Sequence, residues 1–319
     1  MGIIYVKMDG RLGNQMFQYA FARNLQKITG GELILDFSSL KLNKAQGIMG
    51  KDGLENSLEH FNVTPYKYVD MGNFDASIIP HFQWRIFKFW RKIKPMTKRQ
   101  WYIEIVEFFD HKILQHFGII FLESANSYRY FKYPALGKNK NYFLRGWFES
   151  EKYFKTIKNE LKIEFTPKYP LPNKFLNLYD RLKNEESICV TIRRGDFTHS
   201  AYSSRYLVCS KNYYYKGIEF IRSRYNNALC FICSDDLEWC RNNIRVEGNV
   251  LFEPDGLTIW DKLRIMSACH HFVISNSTFS WWCQYLSDNP NKIVVAPKTW
   301  RNVFPKPHDI YQKEWIILE

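Results

Sequence analysis

No apolar run in this chain is long enough to cross a bilayer. The opening residues, Met1-Gly2-Ile3-Ile4-Tyr5-Val6-Lys7, lack a basic segment, an apolar stretch and a small-residue cleavage site, so no secretory leader is expected. Position 6 is Val, where a myristoylation signal needs Ser or Thr. Cysteine is odd in number, at seven. Cys230 and Cys233 form a C-x-x-C inside a strand-like run, where their side chains point to opposite faces. No second pair follows at zinc-ribbon spacing, which argues against a zinc site or a disulfide framework. Cys189, Cys230, Cys233 and Cys269 lie in or beside apolar runs, as buried thiols do. A reducing, cytosolic compartment is expected. Acid is outnumbered: 32 Asp and Glu against 45 Lys and Arg leave a net charge of +13. That balance implies an anionic partner, and nucleic acid, anionic lipid and a nucleotide-sugar phosphate all qualify.

Aromatic residues, by contrast, are abundant at 17%. The excess suits flat, partly polar partners such as sugars or membrane interfaces, although much of it must be core. With 319 residues the chain accommodates two domains of ordinary size. Ile3–Met8 reads as a strand and residues 15–29 as a helix, with Phe17, Ala20, Phe21 and Leu25 on one face. Gly30-Gly31 stops it, and Glu32–Asp36 is the next strand. The glycines of the first turn, Gly10 and Gly13, are spaced G-x-x-G, which is not the dinucleotide fingerprint. A helix near 104–116, a strand at Tyr142–Gly146 and a helix near 150–161 follow. Pro167, Pro170 and Pro172 mark a linker, so the expected domains are 1–165 and 166–319.

The second half alternates short apolar runs with helices. Strands are expected at Ile188–Ile192, Ala228–Cys233, Asn249–Glu253, His271–Ile274 and Lys292–Ala296. Helices are expected at 211–224, 237–243 and 257–269 and through Trp281, Trp282 and Tyr285. This is the pattern of a doubly wound parallel sheet. Residues 82–101 stand apart, because basic and aromatic residues interleave there with no acid. They fit a helix with solvated lysines and packed aromatics, a contact with an anionic membrane surface, or a contact with nucleic acid.

Polar groups gather after the apolar strands: Arg193-Arg194-Gly195-Asp196, Ser234-Asp235-Asp236, Asp255-Gly256 and Ser275-Asn276-Ser277-Thr278-Phe279-Ser280. In a parallel sheet these ends share one rim. Paired guanidiniums there need an anionic partner, and arginine's fork of donors matches phosphate oxygens. Gly195 is expected to turn the chain, and Asp196 to hold one guanidinium. The Ser/Asn/Thr cluster precedes a helix whose first N–H groups can hold phosphate. Asp235 or Asp255 is a candidate for a guanine edge or ribose, and Asp236 for a helix cap. Together these describe a nucleotide-diphosphate site in which the arginines take the place of a metal ion.

Four segments carry a family likeness: Gly10-Arg11-Leu12-Gly13-Asn14-Gln15-Met16, Ile192–Phe197, Ile274–Trp282 and Val295-Ala296-Pro297-Lys298-Thr299-Trp300. They resemble the bacterial α-1,2-fucosyltransferases of glycosyltransferase family 11, in order and over nearly the whole chain. The arginine segment is shared with α-1,6- and protein O-fucosyltransferases; the Asn276–Trp282 string favours family 11. The resemblance implies a GT-B fold of two Rossmann-like domains facing across a cleft. It also implies GDP-fucose as donor, inversion at the anomeric carbon, no required metal and a galactose-terminated glycan as acceptor. It assigns catalysis to Arg193 and Asn14. Arg194, Asp196, Asp235, Asp255, Asn276, Ser277, Thr278 and Ser280 are assigned to the donor, and Arg11, Gly13 and Gln15 to the acceptor-side loop. The family usually carries His two positions before the first arginine; this chain has Thr191. No general base is evident from spacing. The expected setting is surface-polysaccharide synthesis in the cytoplasm, with residues 82–101 as the candidate contact for the inner membrane and no nucleic acid bound.

Overall fold

A computed structural model describes residues 1–40, 54–70, 79–93, 111–122, 128–133, 136–198, 206–302 and 309–319. Residues 94–101, most of the helix expected near 104–116, and the side chain of Asp196 lie outside this description. The chain divides into two compact units. The first comprises Met1–Glu59, Val63–Glu164 and Pro307–Tyr311; the second comprises His60–Asn62, Phe165–Lys306 and Gln312–Glu319.

The first unit holds strands β1 (Ile3–Lys7), β2 (Glu32–Asp36), β3 (Lys67–Val69), β4 (Ile119–Leu122) and β5 (Tyr142–Gly146). They form one parallel sheet in the order β3-β2-β1-β5-β4. Helix α1 (Leu12–Thr29) follows β1 and ends at Gly30, whose φ of 73° only glycine adopts freely. It begins three residues earlier than its apolar stripe suggests, because the backbone N–H groups of Asn14 and Gln15 both donate to Arg11 O. Gly13 therefore lies inside the helix, not in the turn. Helix α2 (His81–Ile93) packs Phe87 into a core with Tyr5, Phe121 and Phe143. The helix expected at 150–161 is two short 3-10 turns and then α3 (Lys158–Glu164). Phe154, at φ −144°, breaks it by turning into the core against Phe17.

After α4 (Leu176–Asn184), the second unit carries strands β6 (Ser187–Ile192), β7 (Leu229–Ser234), β8 (Val250–Phe252), β9 (His271–Val273), β10 (Val294–Pro297) and β11 (Ile316–Leu318). Helices α5 (Lys211–Arg222), α6 (Leu237–Asn243), α7 (Ile259–Ser267) and α8 (Thr278–Leu286) connect them. Every residue of β6 and β7 is buried, as sheets covered on both faces require. The order β11-β10-β9-β6-β7-β8 is parallel throughout. It is the doubly wound Rossmann order, in which the chain reverses direction between β6 and β9. All seven cysteines are free thiols, and all but Cys209 are buried. Burial pushes the Cys230 thiol up to about 11, so it stays protonated at neutral pH.

Candidate active site

In doubly wound sheets the ligand crevice lies beyond the strand carboxyl ends, at the reversal point. In the second unit that point is set by two loops, one after β6 and one after β9. The first supplies Arg193 and Arg194. Arg193 Nη1 lies 2.9 Å from Asp235 Oδ2, with about a quarter of each side chain exposed. Arg194 Nε lies 3.4 Å from Asp236 Oδ2, and its guanidinium sits 3.6 Å from the ring centre of Trp239. Asp235 Oδ1 also accepts the backbone N–H of Arg194 at 2.9 Å. The role expected of Asp196 falls on a side chain outside the described residues; the guanidiniums are aimed by the acidic pair after β7. Strand register explains this: Ile192 pairs with Ser234, so the two loops leave the sheet side by side. Asp236 also caps α6, accepting from Trp239 N at 3.2 Å. Gly195 opens the 3-10 turn Gly195–Thr198 that carries the chain away from β6, and a Cβ there would force the Asp235 carboxylate to shift.

The β9–α8 loop is organised by buried polar groups. Thr191 Oγ1 accepts from Ser275 N at 2.9 Å, and Ser275 Oγ lies 3.2 Å from Ser280 Oγ. Thr191 is buried. The residue in place of the usual histidine is therefore spent on holding this loop to β6. Asn276 is buried too, and its amide donates to Leu207 O and Trp300 O, both at 3.0 Å. Asn276 and Ser280 are loop fasteners here. Ser277 and Thr278, at the start of α8, remain half-exposed. Ser277 makes no side-chain cap, and no acid lies in the first turn of α8. That helix start favours an anion.

Asp255 is exposed beyond β8, the edge strand two places from β6 in the sheet. Tyr206 and Arg301, which the sequence does not single out, join the Arg193 side chain. Phe197 stacks on Tyr206 at 4.5 Å and 13°, with Arg193 over the Phe197 ring and Arg301 over the Tyr206 ring. Arg301 directly follows the Pro297–Trp300 segment, which was its available signal. The two loops pinned by Asn276 also wall a cavity of about 380 Å³, lined by Leu207, Val208, Cys209, Tyr213, Pro297 and Thr299. No cluster of three or more His, Cys, Asp or Glu suited to a metal ion occurs among the described residues.

The chain matches the model of glycosyl transferase family 11 over residues 76–319. It belongs to that family. Along its full length it is 27% identical to an alpha-1,2-colitosyltransferase of Escherichia coli, covering all of both chains. It is 25% identical to the O-antigen biosynthesis glycosyltransferase WbnK of Escherichia coli, over 93% of this chain and 94% of that one. It is also 25% identical, over 51% of this chain and 49% of the relative, to galactoside alpha-(1,2)-fucosyltransferase 1 of Leontocebus fuscicollis. The fold is shared with fucosyltransferase NodZ from Bradyrhizobium at a TM-score of 0.52 and 14% identity, covering 91% and 97% of the two chains. The fold class is GT-B, built from two Rossmann-like units.

The family's first segment lies at the reversal point of the other sheet, between β1 and β5. Gly10 has φ 75°, and a Cβ there would meet Asn14 and, at 2.8 Å, Trp147. Gln15 is fully buried; its amide donates to Gly10 O and Glu55 O and accepts from Ser57 N. It braces the loop, so of the residues expected there only Arg11 and Asn14 are half-exposed. The neighbouring loop after β5 was missed. Phe148 sits at φ 51°, a strained position for a bulky residue, and Glu149 beside it is a buried carboxylate. Its signal was the acid three residues beyond the strand Tyr142–Gly146, legible only once β5 is known to lie next to β1.

Proposed function

We propose that the chain transfers L-fucose from GDP-fucose to the 2-hydroxyl of a terminal galactose, with inversion. The observation that carries this reading is the aimed arginine pair at the Rossmann reversal point, beside an α8 start that favours anions. In the reaction the acceptor oxygen bonds to the anomeric carbon as the bond from that carbon to the β-phosphate oxygen breaks. The electron pair leaves with GDP, and the acceptor proton passes to a base. Positive charge builds on the sugar and negative charge on the diphosphate. Arg193 is assigned to the β-phosphate, with Arg194, Arg301 and α8 supporting it. Groups already in place when the charge develops need no reorganisation. With three cations on this rim, the reading invokes no divalent ion. The nucleoside is assigned to the cavity between the two loops that Asn276 fastens. Its size lies within the usual range of ligand pockets.

On the acceptor side, Asn14 is assigned to orient the attacking hydroxyl and Glu149 to take its proton. The family relatives include a colitosyltransferase, so the donor sugar has a second reading. Incubation with GDP-fucose or a colitosyl donor, a panel of β-galactosides and linkage analysis by NMR decides among these. A 1→2 fucosyl product with an inverted anomeric centre is expected. A colitosyl-only product, or another linkage, overturns the fucosyl assignment. Activity lost on chelation and restored by a divalent ion overturns the metal-free reading.

A further inference from the structure

We infer that the outward face of α2 docks on an anionic lipid bilayer. The helix has two faces of different character. Phe87 is buried, with Trp84, Ile86 and Trp90 packed against the same core. Phe82 and Phe89 point the other way and are 61% and 64% exposed. They are seven residues apart, so they share a stripe, and Arg85 and Lys92 fall on it at helical spacing. Lys88 flanks the stripe, over the Trp84 ring at 5.0 Å. Phe117, itself 42% exposed, meets Phe82 at 6.3 Å, and Ile113 adds a further 42% exposed apolar side chain. Residues 79–93 and 111–122 contain no Asp or Glu.

Charge and shape select the occupant. Bare phenylalanines with cations between them on a convex helix match the boundary of an anionic membrane. There the rings enter the acyl region while the guanidinium and ammonium groups stay at the headgroups. A second copy of this chain would press two acid-free cationic faces together, which repel. A nucleic acid would use the cations but not the rings on a convex surface. The inference is independent of the donor and acceptor assigned above.

The test is co-sedimentation of the full chain with phosphatidylglycerol-containing vesicles and with pure phosphatidylcholine vesicles. Binding is expected only to the first, and to weaken at high salt. The Arg85→Gln/Lys92→Gln pair should weaken it by about 25-fold, roughly fivefold per cation. Phe82→Ser/Phe89→Ser should abolish it. All variants should keep the wild-type melting temperature and its response to GDP, which reports folding and the other site separately. Equal binding to neutral vesicles, or undiminished binding by the Phe pair, overturns the inference. So does a dimer in light scattering that the Phe pair dissolves, or oligonucleotide binding in place of lipid binding.

Discussion

Removing Arg193 separates a structural ion pair from a catalytic one. Its guanidinium pairs with Asp235 at 2.9 Å, with 24% and 23% of the two side chains exposed. A pair this accessible to water stabilises the fold by about 0.2–1 kcal/mol. In a domain of this size that corresponds to a shift of roughly 2–4 °C at most. Acting on a departing diphosphate, the same group is worth far more. Deleting one preorganised donor of this kind costs about 100- to 1,000-fold in rate, or about 2.7–4 kcal/mol. Arg193→Ala should therefore melt close to the wild type while its turnover of GDP-fucose collapses. Asp235→Asn keeps the shape and only loosens the aim of the guanidinium, so it should retain more activity than Arg193→Ala. The assays are thermal melting of the ligand-free protein and GDP release with a galactoside present. If Arg193→Ala melted far below the wild type yet kept kcat/KM within tenfold, the arginine would be a structural partner of Asp235 and the reasoning would fail.

Asn276→Ala strips hydrogen bonds from two carbonyls, so it should destabilise the second unit by about 2–4 kcal/mol and weaken GDP binding; unchanged melting would show that the loops do not depend on it. Gly10→Ala forces a side chain into a left-handed position against Asn14 and Trp147. It should cut transfer while GDP still raises the melting temperature, and equal loss of GDP protection would refute its placement on the acceptor side. Glu149→Gln should lower kcat at neutral pH with KM for GDP-fucose unchanged, and a wild-type pH profile would remove Glu149 as base. His111 is buried and held down to about 4 by that burial and by the charge of Lys112. Below its ordinary value near 6.5 the unfolded chain gains a proton that the folded chain refuses, so stability falls as pH drops toward 4, by about 3 kcal/mol in all. Denaturant titrations at neutral and acidic pH should show this slope, and His111→Phe should flatten it.

Strands β6 and β7 are apolar on both faces, and the expected bounds were off by one residue at the ends. Edge strand β8 was legible too, as the run Asn249–Glu253 before Asp255-Gly256. The other three edge strands were not. Lys67–Val69 buries one residue of three, and Ile316–Leu318 none fully, so neither carries a periodic signal. Ile119–Leu122 is fully buried, but a run of four apolar residues has no alternation that tells a strand from a buried helix. The Pro-rich stretch that reads as a linker runs into α4, whose apolar contribution is small. At the site, Arg193 and Arg194 announced themselves because cations after a buried strand are unusual. Their pairing with Asp235 and Asp236 did not, since adjacency of β6 and β7 is a property of the sheet order. Asn276 and Gln15 read as ligand contacts because a polar residue near a glycine or serine cluster looks the same in sequence whether it faces solvent or braces backbone. Only burial tells the two apart.

The path of the chain between its two units bears on how the protein can be dissected. It leaves the first unit at His60 for three residues, returns, passes over at Phe165, comes back for Pro307–Tyr311 and finishes in the second. Asp309, on that late visit, receives Lys152 and the Tyr130 N–H, and β11 follows it. A cut between residues 164 and 165 would thus yield two incomplete fragments, one missing an anchoring carboxylate and the other a three-residue patch. A tail deletion of a dozen residues would damage both halves at once. Fusions and tags that need the C-terminal segment to stay loose are the wrong tools for this enzyme.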